Sequence, residues 1–301
     1  MSDAHRPDSR LARRRLAAAA GTFGRHAEVH EEVGNRLLER LDGLRFEPQR
    51  MLIAGVGTSH ELRAARRRFP KADLYALGPV LGLLRAARAR RGLRGVVRGG
   101  VSKVIGELEG MPLASGAVDG VISNLILGWA GDLERAVTEC ARVLRPEGLL
   151  LFSTLGPDTL GELRRAWYGA DGGDHARVHG FIDLHDVGDA LVRAGFLDPV
   201  MEAERLTVTY SSVEALHAEL RGLGATNVAA GRPRGLTSPG RAHAARALYA
   251  READADGRIP VTLELTVGHA WMGQASRASA RDGVATIPLT RIGGRRRTLS
   301  R

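Results

Sequence analysis

Cysteine is almost absent from the chain, since Cys140 is the only one among 301 residues. A single cysteine excludes a framework of internal disulfide bonds and a metal site built from several cysteines. This composition is ordinary for a reducing compartment, so we expect a cytoplasmic protein. Cys140 stands among apolar residues at helical spacing, which predicts a packed thiol rather than a nucleophile.

Long apolar runs and aromatic residues are also scarce. No run of about 18 apolar residues occurs, so we expect no membrane-spanning helix. Aromatic residues make up 4% of the chain and do not alternate with basic residues, which argues against binding of single-stranded nucleic acid. The apolar stretch 16–20 is too short for a signal peptide, although the arginine- and alanine-rich start loosely resembles a transit peptide.

Lysine is the third scarce residue type: Lys71 and Lys103 are the only two, yet arginine brings the formal net charge to +10. Two interpretations remain open. A basic surface attracts an acidic partner, such as a nucleic acid or an acidic carrier protein. Alternatively, a GC-rich genome encodes arginine in place of lysine throughout the chain.

Strand and helix patterns alternate along most of the chain. Helical periodicity covers residues 11–43, with a break near 21–24. The predicted strands are 51–54, 73–77, a weak one within 95–106, 118–125, 148–154, 199–210 and 260–271. The predicted helices between them are 59–69, 80–91, 132–144, 158–168, 183–195, 212–223 and one that ends near 251.

Such alternation predicts an α/β protein with a doubly wound, mostly parallel sheet that is covered on both faces. We expect one domain over residues 11–272. Residues 1–10 are polar, and residues 273–301 form a basic tail rich in arginine, glycine, serine and threonine, so we expect both segments to be disordered. Nucleic-acid binding by the tail is the alternative.

A glycine-rich turn follows the first predicted strand, with Gly55, Gly57 and Thr58 before a helix. Glycines at such a turn let the backbone approach a ligand closely. The spacing alone is a weak signal, because a tight turn without a ligand has the same sequence. A nicotinamide dinucleotide site needs a third glycine and an acid after the second strand, where this chain has Ser59 and Gly78.

The chain resembles a family of enzymes along most of its length. The motifs S-N-L at 123–125 and F-S-T-L-G-P-D-T-L at 152–160 resemble those of the malonyl-[acyl-carrier protein] O-methyltransferases of biotin biosynthesis. These are S-adenosylmethionine-dependent methyltransferases of class I, so the resemblance implies a Rossmann-like, seven-stranded sheet with helical insertions. The matching segments are 22–27, 118–167, 181–186, 194–196, 206–210, 222–235 and 268–271.

The resemblance also implies which residues bind S-adenosylmethionine and the malonyl acceptor. The implied cofactor-binding residues are Gly55, Gly57, Thr58, Glu107, Leu108, Asn124 and Leu125. The implied acceptor-side residues are Phe23, His26 and Trp129. The implied partner is an acidic acyl-carrier protein with a malonyl thioester, and we expect the enzyme to be a monomer.

No acid–base pair is expected in this site. A free malonyl carboxylate is ionised at neutral pH, so methyl transfer needs positioning rather than a general base. An arginine fork suits the carboxylate best. The candidates are Arg164, Arg165, Arg232 and Arg234, of which we select Arg164 and Arg232. A solvated surface arginine is the alternative for each.

The chain departs from the family pattern in its cofactor motif. Ile53 replaces the family's aspartate, Ser59 replaces its last glycine, and Gly78 replaces the acid that binds both ribose hydroxyls. Phe23 and Gly24 replace a Tyr-Asp pair. Two hypotheses follow: an active carboxyl O-methyltransferase, or a catalytically impaired relative that serves as a binding or assembly factor.

Overall fold

The computed structural model describes residues 3–55, 59–87 and 100–274. The expected tail lies outside these residues beyond Gln274. Within the described ranges, no helix is both long enough and apolar enough to cross a membrane.

Residues 3–10, part of the segment expected to be disordered, make specific hydrogen bonds in the structure. The Asp8 amide donates a hydrogen bond to the Val228 carbonyl at 2.8 Å, far along the chain. The Asp8 carboxylate accepts one from the Leu11 amide at 3.0 Å and caps helix α1 (Ser9–Ala18). The polar composition of this segment does not predict these hydrogen bonds, because their partners are distant in the sequence.

The predicted break in the first helical region is confirmed. α1 ends at Ala18, one 3-10 turn covers Phe23–Arg25, and α2 covers Glu28–Glu39. A second 3-10 turn, Arg40–Gly43, ends this region.

Seven strands form one sheet in the described part of the chain. They are β1 (Arg50–Ala54), β2 (Asp73–Gly78), β3 (Val101–Ile105), β4 (Val118–Ser123), β5 (Leu144–Leu155), β6 (Phe196–Tyr210) and β7 (Ile259–Met272). Their order is β3-β2-β1-β4-β5-β7-β6. The strands β1 to β5 are parallel, and β7 is antiparallel to β5 and β6. The predicted doubly wound, mostly parallel sheet is therefore confirmed.

The remaining helices follow the predicted alternation. They are α3 (His60–Arg68), α4 (Leu81–Ala86), α5 (Leu133–Val143), α6 (Gly161–Asp171), α7 (Leu184–Arg193), α8 (Val213–Gly222) and α9 (Pro239–Ala250). The predicted end of α4, beyond residue 87, lies outside the described residues.

Successive side chains of β1 enter opposite layers of the core, as the two-residue period of a strand requires. Leu52 and Ala54 pack in the layer that α5 and α7 cover. Ile53 packs in the layer of α2 and α3 and is 2% exposed. Cys140 in α5 is fully buried, and burial raises the pKa of its thiol to about 12. This confirms a packed thiol.

Candidate functional site

A crevice lies at the carboxyl ends of β1 to β4, beside the point where the strand order reverses between β1 and β4. Ligands of open α/β sheets bind at this point. The strand-end crevice holds about 870 Å³ of empty space, counting space open to solvent.

The turn after β1 forms the bottom of the crevice. Gly55 has φ of +76°, and a Cβ there would lie 2.5 Å from Cβ of Ile126. Its amide donates to the Leu77 carbonyl at 3.0 Å. A side chain at residue 55 would therefore displace Ile126 and strain the backbone. Gly57 and Thr58 lie outside the described residues.

Asn124 and Leu125 do not line the crevice but fix the backbone that does. The Asn124 amide group donates to Glu61 Oε1 at 2.7 Å and to the His30 carbonyl at 2.9 Å. Burial raises the pKa of Glu61. Leu125 has φ of +54°, and its amide donates to Ser153 Oγ at 3.0 Å. This network positions the next residues, Ile126 and Trp129, on the crevice wall.

Glu107 and Leu108, which the resemblance implies as cofactor-binding residues, line the crevice. The Glu107 carboxylate accepts a hydrogen bond from Nη1 of Arg13 at 3.1 Å. Both side chains are about half exposed, so this ion pair contributes little to stability. Its position still matters, because Arg13 lies on α1 and ties that helix across the rim.

Gly78, the last residue of β2, offers no side chain to the crevice. Gly78 lines the crevice between Leu77 and Pro79, and its carbonyl accepts from the Gly106 amide at 3.2 Å. The glycine that replaces the family's acid therefore lies in the crevice. No carboxylate stands at this strand end to accept hydrogen bonds from a ribose.

Phe23 and Trp129 line the crevice, whereas His26 does not. A Cβ at Gly222 in α8 would lie 2.1 Å from Cδ2 of His26, so this ring fills the space that a glycine leaves. The ring of Trp129 also contacts the ring of His179, and the two ring centroids are 5.3 Å apart. Burial lowers the pKa of His179 to about 4.

The predicted carboxylate-binding arginines also lie away from the crevice. Arg164 donates to the carbonyls of Pro157 and Thr159 at 3.1 and 3.3 Å. Arg232 donates to the Ala229 carbonyl at 2.9 Å. Of the other two candidates, Arg165 forms an ion pair with Glu252, and Arg234 is exposed.

Sequence reasoning missed the cover of the crevice. Ser9, Ala12, Arg13 and Leu16 of α1 lie over it, and Leu223 and Gly224 close one side. The spacing of Ala12 and Leu16 marks an apolar helix face, but not what that face covers.

The strand order and the position of the crevice are those of the class I methyltransferase fold. Residues 52–152 match the family model described as a methyltransferase domain. The YcgJ protein of Bacillus subtilis has the same fold, with a TM-score of 0.55 at 14% identity over 81% of this chain and 99% of its own.

Curated relatives identify the family within this class. The malonyl-[acyl-carrier protein] O-methyltransferase of Halorhodospira halophila is 41% identical over 98% of this chain and 98% of its own. The protein of the same name from Laribacter hongkongensis is 43% identical over 90% of this chain and 92% of its own. The chain belongs to the malonyl-[acyl-carrier protein] O-methyltransferase family.

Proposed function

We propose that this chain methylates the free carboxylate of a malonyl thioester on acyl-carrier protein, with S-adenosylmethionine as the methyl donor. The strand-end crevice carries this proposal, because it keeps the tight turn at Gly55 in a chain that matches its relatives over nearly their whole length. We place the reaction in the cytoplasm and in biotin biosynthesis.

The residues present fit an adenosyl ligand with one exception. Gly55 allows the left-handed turn at the bottom of the crevice, and the crevice walls are mostly apolar. The Glu107 carboxylate stands at the rim, where it can accept a hydrogen bond from the adenine amino group once Arg13 releases it. The exception is Gly78, which offers no acceptor to the ribose hydroxyls.

When bound, S-adenosylmethionine supplies an electrophilic methyl group on a sulfonium. The protein orients the acceptor in line with it and excludes water. Phe23 and Trp129 provide apolar walls for this purpose. An ordinary carboxylic acid has a pKa of about 4, so the acceptor carboxylate is ionised at neutral pH and can act as the nucleophile without a general base. Its methylation removes the negative charge.

The test combines binding with product analysis. Purified protein is incubated with malonyl-carrier protein and S-adenosylmethionine, and mass spectrometry detects the methyl ester. We expect Gly55→Ala to abolish formation of the methyl ester, since the new methyl group meets Ile126. Calorimetry should show an affinity for S-adenosylhomocysteine that is lower by about tenfold or more.

Gly21→Ala is the matched control, because a Cβ at that position has no neighbour within 4 Å. Wild-type protein that forms no ester and gives no heat with S-adenosylhomocysteine would contradict the proposal. It would then favour the alternative, an assembly or binding factor with an impaired cofactor site.

A further inference from the structure

A second cavity lies on the other side of α1. It is bounded by α1, α6 and α8, with the segments 177–179 and 225–227 between them, and we call it the α1–α8 cavity. It has about 730 Å³ of empty space, counting space open to solvent.

The two cavities share their walls. On α1, Leu16 lines the crevice and Arg15 lines the α1–α8 cavity. In the loop after α8, Gly224 lines the crevice and Ala225 the cavity. The ring contact between Trp129 and His179 joins them at a third place. A ligand in the α1–α8 cavity therefore lies next to the end of the crevice.

The lining of the α1–α8 cavity carries basic groups and no carboxylate among the described residues. Arg177 lines it but is neutralised by the buried carboxylate of Asp171 at 2.6 Å. His179 and His217 are neutral at pH 7, since burial lowers the pKa of each ring. Arg15 and the exposed Arg221 supply the positive charge.

Arg15 is the group whose environment is incomplete. Its Nη1 donates to Thr226 Oγ1, whereas its Nε is buried with no hydrogen-bond partner in the described structure. Among the described residues, the neighbouring cations have carboxylate partners, Asp171 for Arg177 at 2.6 Å and Asp8 for Arg232 at 3.6 Å, whereas no ion pair includes Arg15. Burial lowers the pKa of Arg15, and the nearby cation Arg232 lowers it further. An anionic ligand would satisfy the buried donor and offset the repulsion.

We propose that the α1–α8 cavity receives the acceptor and that the Arg15 guanidinium binds an anionic group of it. This inference rests on the proposed function. Two anions of a malonyl-carrier substrate have the required chemistry: the terminal carboxylate, and the phosphodiester of the prosthetic arm. Arg15 fits this role better than Arg164 or Arg232, whose guanidinium groups already donate to backbone carbonyls.

The experiment compares Arg15→Gln with Arg14→Gln, which removes the same charge from the exposed side of the same helix. Methylation is measured with malonyl-carrier protein and with malonyl-N-acetylcysteamine, which has the carboxylate but no phosphate. We expect Arg15→Gln to raise KM by about tenfold or more. Both substrates show the rise if Arg15 binds the carboxylate, and only the carrier shows it if Arg15 binds the phosphodiester.

Further measurements separate binding from folding. Arg15→Lys keeps the charge but not the fork, and we expect it to recover part of the lost affinity. The affinity for S-adenosylhomocysteine and the melting temperature should match those of Arg14→Gln. Equal KM values for Arg14→Gln and Arg15→Gln on both substrates would overturn the assignment.

The assignment is also testable without turnover. Malonyl-phosphopantetheine, which carries both anions, is titrated into wild-type protein and Arg15→Gln. Binding that Arg15→Gln weakens by about tenfold or more supports the role of Arg15. Equal binding, or none to the wild type, overturns it. A failure of the proposed function is distinct, because wild-type protein would then bind but form no ester.

Discussion

Residue 78 stands where the family pattern places the acid that binds both ribose hydroxyls. In this chain the position is a strand glycine, paired with Ile105 of β3, and it lines the crevice. Ile53 cannot compensate, because its side chain points into the α2–α3 layer and is almost fully buried. The loss of the ribose acceptor should therefore appear as weak cofactor binding rather than as a misfolded sheet.

Restoring the acid should tighten cofactor binding. We expect Gly78→Asp to lower the Kd of S-adenosylhomocysteine by about tenfold or more, since hydrogen bonds to a charged group contribute about 1.5–3 kcal/mol each. Calorimetry measures the Kd. Gly78→Ala is the control for the loss of glycine, and an equal Kd for the two variants would show that the ribose does not reach residue 78.

Single residues were predicted unevenly from the sequence. Glu107 and Trp129 line the crevice because they follow β3 and β4, and strand ends are readable from apolar runs. His26 and Arg164 could not be assigned in the same way. Their partners, Gly222 for one and the Thr159 carbonyl for the other, depend on how distant elements pack.

At the scale of elements, α1 covers the crevice with Ser9, Ala12, Arg13 and Leu16. Its helical character is readable from its periodicity, whereas its place over the crevice depends on contacts that no local pattern shows. Gly224 is one of these contacts. It has φ of +69°, and a Cβ there would lie 2.8 Å from the carbonyl oxygen of Arg15.

Gly224→Ala should therefore displace α1. We expect the free energy of unfolding to fall by about 1 kcal/mol or more, because a left-handed backbone and a contact with a helix carbonyl both oppose the methyl group. Limited proteolysis should cut α1 faster than in wild-type protein. Gly43→Ala, where a Cβ would have no neighbour within 4 Å, is the control. Unchanged cleavage of α1 would show that Gly224 does not hold the helix.

The sheet itself was predicted almost completely, including the weak strand that became β3. Apolar runs of a parallel sheet are strong signals because both faces are buried. The backbone hydrogen bonds between the N-terminal segment and residues near Val228 could not be predicted from the sequence, because their partners are distant in the chain.

For the whole molecule, the formal charge of +10 allows a test of the two interpretations left open by the scarcity of lysine. If the charge attracts an acidic carrier, the rate of association falls as salt screens it. If arginine merely reflects genome composition, salt has no such effect.

We expect kcat/KM for malonyl-carrier protein to fall by about tenfold or more between about 0.01 M and about 0.15 M salt, as the Debye length shrinks from about 30 to about 8 Å. Malonyl-N-acetylcysteamine has no carrier, so its kcat/KM should change little. The same salt dependence for both substrates would assign the effect to the active site instead of the protein surface.

The helix that carries Arg13 and Arg15 lies between the strand-end crevice and the α1–α8 cavity. Because one helix lines both cavities, we expect a shift of α1 that accommodates a ligand in one of them to change the shape of the other. Binding in the two cavities is then thermodynamically linked, and this linkage is reciprocal. If a ligand in the first cavity changes the affinity of the second cavity by some factor, a ligand in the second changes the affinity of the first by the same factor.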